Sequence, residues 1–141
     1  MSCINYFTED VDFTLQHEGT ISRWLEDIAL SHEYSIETIN YIFCSDDYLL
    51  DINKTYLEHD YYTDIITFDN STEPLRIESD IFISIDRVKD NAHEMSLPFE
   101  EELHRVLVHG LLHLIGFEDK GDDHKMLMRQ KEDACLSLLK I

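Results

Sequence analysis

Two histidines four residues apart, His109 and His113, stand in the segment HGLLHLIGFED. On an α-helix this spacing puts both imidazoles on one face, one turn apart, close enough to share a metal ion. Gly116 comes three residues after His113 and lets the chain leave the helix at a positive φ. The turn brings Asp119 back toward the same point. Two neutral imidazoles and one carboxylate make a three-ligand zinc site with a free fourth position, which distinguishes a catalytic site from a closed structural one. A histidine pair at this spacing is common, but the whole pattern HxxxHxxGxxD is expected by chance only about 0.002 times in a chain of this length and composition.

The protease motif HExxH carries its general base directly after the first histidine, and Gly110 stands there in this chain. An ordinary metalloprotease is therefore disfavoured. Activation of water falls mainly to the metal, which lowers the pKa of bound water to near 7. His124 is the next histidine along the chain and rivals Asp119 as third ligand.

These residues need a helix, a turn and a sheet to hold them. Pro98 and Glu100–Glu102 open a helix that reaches about Ile115, with Gly116 as its stop. Ile4–Phe7 is a short candidate strand. Thr20–Ser31 has Ile21, Trp24, Leu25, Ile28 and Ala29 at helical spacing behind a Thr20 cap. Ser35–Cys44, Thr63–Phe68 and Asp80–Ile85 read as strands. Ser45 caps a helix to about Leu57, and Asp86 opens one toward Met95. A last helix is expected from about Asp123 to Leu139, with Met126, Leu127, Ala134, Leu138 and Leu139 inward. The order implies an α+β or α/β layer structure over residues 1–141 as a single domain, with about four strands in the sheet and helices covering at least one of its faces.

Composition narrows the function classes. The 141 residues carry 30 Asp and Glu against 11 Lys and Arg, a formal charge of −19. A hydrophobic fraction of 43% is too high for a disordered acidic tail. The charge excludes a simple electrostatic nucleic-acid binder and disfavours an anionic membrane surface. Residues 1–70 hold only two of the basic side chains, so any anion-facing surface draws on the second half. Three scattered cysteines (Cys3, Cys44, Cys135) suggest a reducing compartment rather than a disulfide framework. The first ten residues do not read as a secretory signal, and Val106–Phe117 is too short to span a bilayer. The expectation is a soluble, cytoplasmic protein with no membrane partner.

The segment HGLLHLIG resembles the HGxLHLxG signature of the YbeY family of zinc-dependent endoribonucleases. Asn53–Tyr56 (NKTY) followed by Thr63–Phe68 (TDIITF) is similar to that family's LNxxY…TDVLSF region. Ser79–Ser84 (SDIFIS) followed by Arg87, Val88, Asn91 and Ala92 is similar to its GDIxIS…A region, and Met128 and Glu132 match in the final helix. The resemblance implies an α+β fold, a small mixed β-sheet of about four strands packed against about five helices, with a zincin-like metal helix. It implies one Zn2+ per chain held by three signature residues, here His109, His113 and Asp119. It implies cleavage of single-stranded rRNA, with a role in 16S rRNA 3′-end maturation and ribosome quality control. The small ribosomal subunit or its assembly proteins are the implied partners.

Two positions depart from the family pattern. The third ligand is most often a histidine, where this chain has Asp119. An arginine that commonly follows the tyrosine, thought to bind phosphate, is Leu57 here. His59 and Arg105 are the candidate substitutes for that phosphate contact, and Tyr61 and Tyr62 are candidate groove residues. No residue is singled out as general base. Two other readings stand beside the nuclease: a metallohydrolase of peptides or small esters, and a ribosome assembly factor with a structural metal and a fourth protein ligand.

Overall fold

The computed structural model describes residues 3–141. Alternating apolar side chains build four strands, β1 (Ile4–Glu9), β2 (Ser35–Cys44), β3 (Ile65–Asp69) and β4 (Arg76–Ser84). They form one mixed sheet in the order β1-β2-β4-β3. β1, β2 and β4 run parallel, and β3 is antiparallel to β4. The helices are α1 (Glu18–Ser31), α2 (Asp46–Leu57), α3 (Ile85–Glu94), α4 (Phe99–Ile115) and α5 (Asp122–Ser137). The fold is α+β, as the family resemblance implies.

The period-two pattern of the strands divides the core between the two sheet faces. Ile39, Tyr41 and Phe43 of β2 and Ile77, Ile81 and Ile83 of β4 pack with the apolar stripes of α1 and α4. On the opposite face, Cys44 and Ile66 pack with Leu49 of α2. Helix α4 is tied to the sheet by the Tyr41 hydroxyl, which donates to the Leu107 carbonyl at 3.0 Å. Trp24 is a core residue whose indole N–H donates to the Cys135 carbonyl at 2.8 Å, joining α1 to α5. Ser45 caps α2 by accepting from the Tyr48 N–H.

Four local expectations change. Thr20 lies inside α1, which starts at Glu18 with His17 before it. Strand β4 begins at Arg76, four residues earlier than expected, because Ser35 and Arg76 open its ladder with β2. Strand β3 begins at Ile65 and leaves Thr63 and Asp64 in the preceding loop. The inward face of α5 is Met128, Glu132 and Cys135, while Met126, Leu127, Ala134 and Leu138 are exposed. A glutamate on the inner face has a partner waiting in α4, and that pairing rotates the helix away from the purely apolar choice. Among the described residues, no helix is long and apolar enough to cross a membrane.

Candidate metal centre

Helix α4 runs over the sheet with His109 and His113 near its C-terminal end. Gly116 closes the helix at φ 115°, a left-handed conformation that suits glycine and turns the chain sharply. Asp119 is thereby carried back to the histidine pair. His109 Nε2 and His113 Nε2 lie 3.0 Å apart. Asp119 Oδ2 is 3.4 Å from His109 Nε2 and 3.3 Å from His113 Nε2. Ligand atoms about 2.0–2.1 Å from a tetrahedral zinc are separated by about 3.3 Å. The triangle His109, His113 and Asp119 has that size, so its donors fit a zinc ion. His124 is turned elsewhere: its Nδ1 is 2.9 Å from the Lys120 carbonyl and 3.6 Å from Glu118.

Behind the triangle is a layer of charge. His109 Nδ1 lies 2.6 Å from Glu132 Oε2. The carboxylate takes the Nδ1 proton as a hydrogen bond, which leaves the Nε2 lone pair facing His113 and Asp119. Burial pulls the His109 pKa down, but the bond to Glu132 and the charges of Glu132, Asp119 and Asp64 outweigh it and hold it above the ordinary range. Glu132 is itself fixed from α4, since Arg105 Nη1 lies 3.1 Å from its Oε1. Arg105 is only 7% exposed and also contacts Asp133 at 2.9 Å and Glu102 at 3.7 Å. A guanidinium so engaged is a brace for Glu132. His59, the other candidate for the phosphate contact, lines the groove in front of the metal triangle.

That groove has a volume of about 650 Å³ and is walled by the α2–β3 loop, β3 and the end of α4. Asp64, Asp69 and Asp119 line it, with Lys120 as its one lysine or arginine. Burial raises the Asp64 pKa, with His109 and local backbone hydrogen bonds pulling the other way. Asn91 Nδ2 donates to Asp64 Oδ2 at 3.3 Å. Tyr61 is at the groove. Tyr62 is not: its hydroxyl donates to Asp47 at 3.1 Å and Arg87 lies over its ring at 5.3 Å. Gly110 faces the sheet, where an added Cβ would stand 3.1 Å from Ile65 Cδ1 and 3.2 Å from Ile81 Cδ1. A glutamate base at residue 110 would therefore start into the core and away from the groove.

Glu132 and Glu102 are the site residues whose roles the sequence reading missed. Glu132 carried a signal, a charged residue four positions after Met128 and three before Cys135 on a helix stripe. Glu102 reads locally as dipole complementarity at a helix start, yet it is 4% exposed beside Arg105, and burial pushes its pKa up to about 7.

The family model described as Endoribonuclease YbeY matches residues 4–140. The chain belongs to the YbeY family. A Cytophaga hutchinsonii protein named Endoribonuclease YbeY is 58% identical over 137 residues, covering 97% of this chain and 96% of the relative. A Flavobacterium psychrophilum protein of the same name is 47% identical over 135 residues, covering 96% of each. The solution structure of a Thermotoga maritima protein superposes with a TM-score of 0.66 at 27% identity, covering 95% of this chain and 87% of that one. Membership in YbeY makes this chain an endoribonuclease, a hydrolase of RNA phosphodiester bonds.

Proposed function

We propose that this YbeY endoribonuclease is zinc-dependent, with His109, His113 and Asp119 as ligands, and that it cleaves single-stranded RNA. The observation that carries the reading is the convergence of three donor atoms at tetrahedral spacing on the wall of an open groove. Zinc bound there would polarise the phosphodiester and lower the pKa of water. The rest falls to the chain. Glu132 holds the His109 tautomer, Arg105 holds Glu132, and the α4–Gly116 turn holds Asp119 in register. The groove carboxylates repel a phosphate backbone, and a divalent cation offsets that repulsion where cleavage takes place. His124, turned to Lys120, leaves three protein ligands, which supports a catalytic over a purely structural ion.

The family implies 16S rRNA 3′-end maturation and ribosome quality control in the cytoplasm. A chain of charge −19 has little long-range pull on RNA, so targeting rests on the small ribosomal subunit or its assembly proteins. Zinc-loaded protein is to be incubated with a single-stranded oligoribonucleotide, the same strand in duplex, and casein. The reading predicts cleavage of the single strand only. Cleavage of casein, or equal cleavage of the duplex, would overturn it.

A further inference from the structure

We propose that the stacked pair Tyr61–His59 is a base-stacking subsite for single-stranded RNA beside the metal centre, a reading that rests on the proposed RNA substrate. The two rings lie 5.1 Å apart at an interplanar angle of 20°. The Tyr61 hydroxyl is 3.0 Å from His59 Nδ1. That contact ties the two rings to each other as one aromatic platform. Both residues line the groove that contains His109, His113 and Asp119.

The loop that carries the pair is braced. Asn53 is 2% exposed and clamps both ends of it. Its carbonyl accepts from the His59 N–H at 3.1 Å, and its Nδ2 donates to the Tyr61 carbonyl at 2.9 Å. Glu58 turns the chain between helix and loop at φ 56°. The Tyr61 side chain is nevertheless left 56% exposed. A tyrosine whose backbone is locked and whose ring is already stacked on one side offers its other face at low entropic cost.

Charge explains why stacking is the contact required. The groove has three aspartates and one lysine, and residue 57, beside the pair in sequence, is leucine. Away from the metal, the side chains of the groove offer a phosphate backbone little attraction. Stacking on an aromatic face is indifferent to charge, works on every base, and is available only when the base is unpaired. The subsite therefore favours single strands and tolerates any sequence.

The probe is an eight-nucleotide single-stranded RNA carrying one 2-aminopurine. Zinc-loaded protein is used throughout, with binding read from the quenching on rapid mixing, before cleavage, and KM and kcat from the later phase. Wild-type protein is expected to quench the 2-aminopurine. Tyr61→Ala is expected to weaken binding and raise KM by roughly 10-fold, with kcat and zinc content within about 2-fold of wild type. Tyr61→Phe and Tyr61→Trp keep a ring and are expected to bind within about 3-fold of wild type. Absence of quenching by wild type, unchanged binding by Tyr61→Ala, or equal loss in Tyr61→Phe would overturn the subsite. Binding with quenching by a zinc-loaded protein that cleaves nothing would leave the subsite standing and overturn the nuclease reading instead.

Discussion

Glu132 Oε2 stands 2.6 Å from His109 Nδ1, on a carboxylate whose other oxygen is held 3.1 Å from Arg105. This contact decides which imidazole nitrogen faces the metal triangle. Glu132→Gln keeps the shape and removes the charge, so zinc affinity should fall roughly 10- to 100-fold. Competition against a chromophoric chelator measures it. The carboxylate also helps raise the His109 pKa, so protons compete with zinc at higher pH in wild type than in the variant. As pH is lowered, wild type should begin losing affinity first, and parallel pH profiles would contradict the assignment.

The third ligand separates by substitution. Asp119 Oδ2 reaches both histidines, whereas His124 turns to the Lys120 carbonyl. Asp119→Ala should weaken zinc binding by roughly 100-fold or more, and His124→Ala by no more than about 2-fold. Equilibrium dialysis with metal analysis distinguishes them. The reverse order would move the site to His124.

Much of this centre was legible in the chain itself. The i,i+4 pair His109 and His113, the glycine that ends the helix and the returning aspartate are local in sequence, and local geometry places them. The existence of the four strands was legible too, because β-branched and aromatic residues cluster at Ile36–Phe43 and Ile81–Ile83, but the first four residues of β4 were not, since only pairing with β2 extends that strand back to Arg76. What sequence hid is non-local. Arg105 reads as an exposed cation free to meet phosphate, and only the docking of α5 on α4 shows it buried against Glu132 and Asp133. The α5 face was misjudged for the same reason, since an apolar count cannot reveal that a glutamate has a buried partner 27 residues away.

Gly110 tests the packing of α4 on the sheet. Alanine there would press on the mobile ends of Ile65 and Ile81, a strain offset by about 1 kcal/mol of helix propensity, so Gly110→Ala should be near neutral. Gly110→Leu has no room and should cost about 1–3 kcal/mol. Urea unfolding of the metal-free proteins compares the two. Equal stability of all three would mean that α4 does not sit this close to β3 and β4.

Glu102 makes stability depend on pH in a calculable direction. Its carboxyl is buried, Oε1 has no hydrogen-bond partner, and its pKa rises from 4.5 to about 7. A raised carboxyl binds its proton more tightly folded than unfolded. Its stabilising contribution is present below pH 4.5 and is lost as pH rises through 7. Glu102→Gln does not titrate, so its stability relative to wild type should increase between pH 5 and pH 8, by about 1–3 kcal/mol. Urea midpoints at the two pH values read this directly, and a constant difference would show that folding does not raise the Glu102 pKa into this range.

The central claim is that one zinc ion, held at His109, His113 and Asp119, makes this chain a nuclease. The most direct measurement is zinc content and single-stranded RNA cleavage on demetallated, zinc-reloaded wild type beside His109→Ala. The account predicts one zinc per chain and cleavage in wild type, with both lost in the variant. Full zinc content in His109→Ala, or cleavage that survives without the ion, would contradict it.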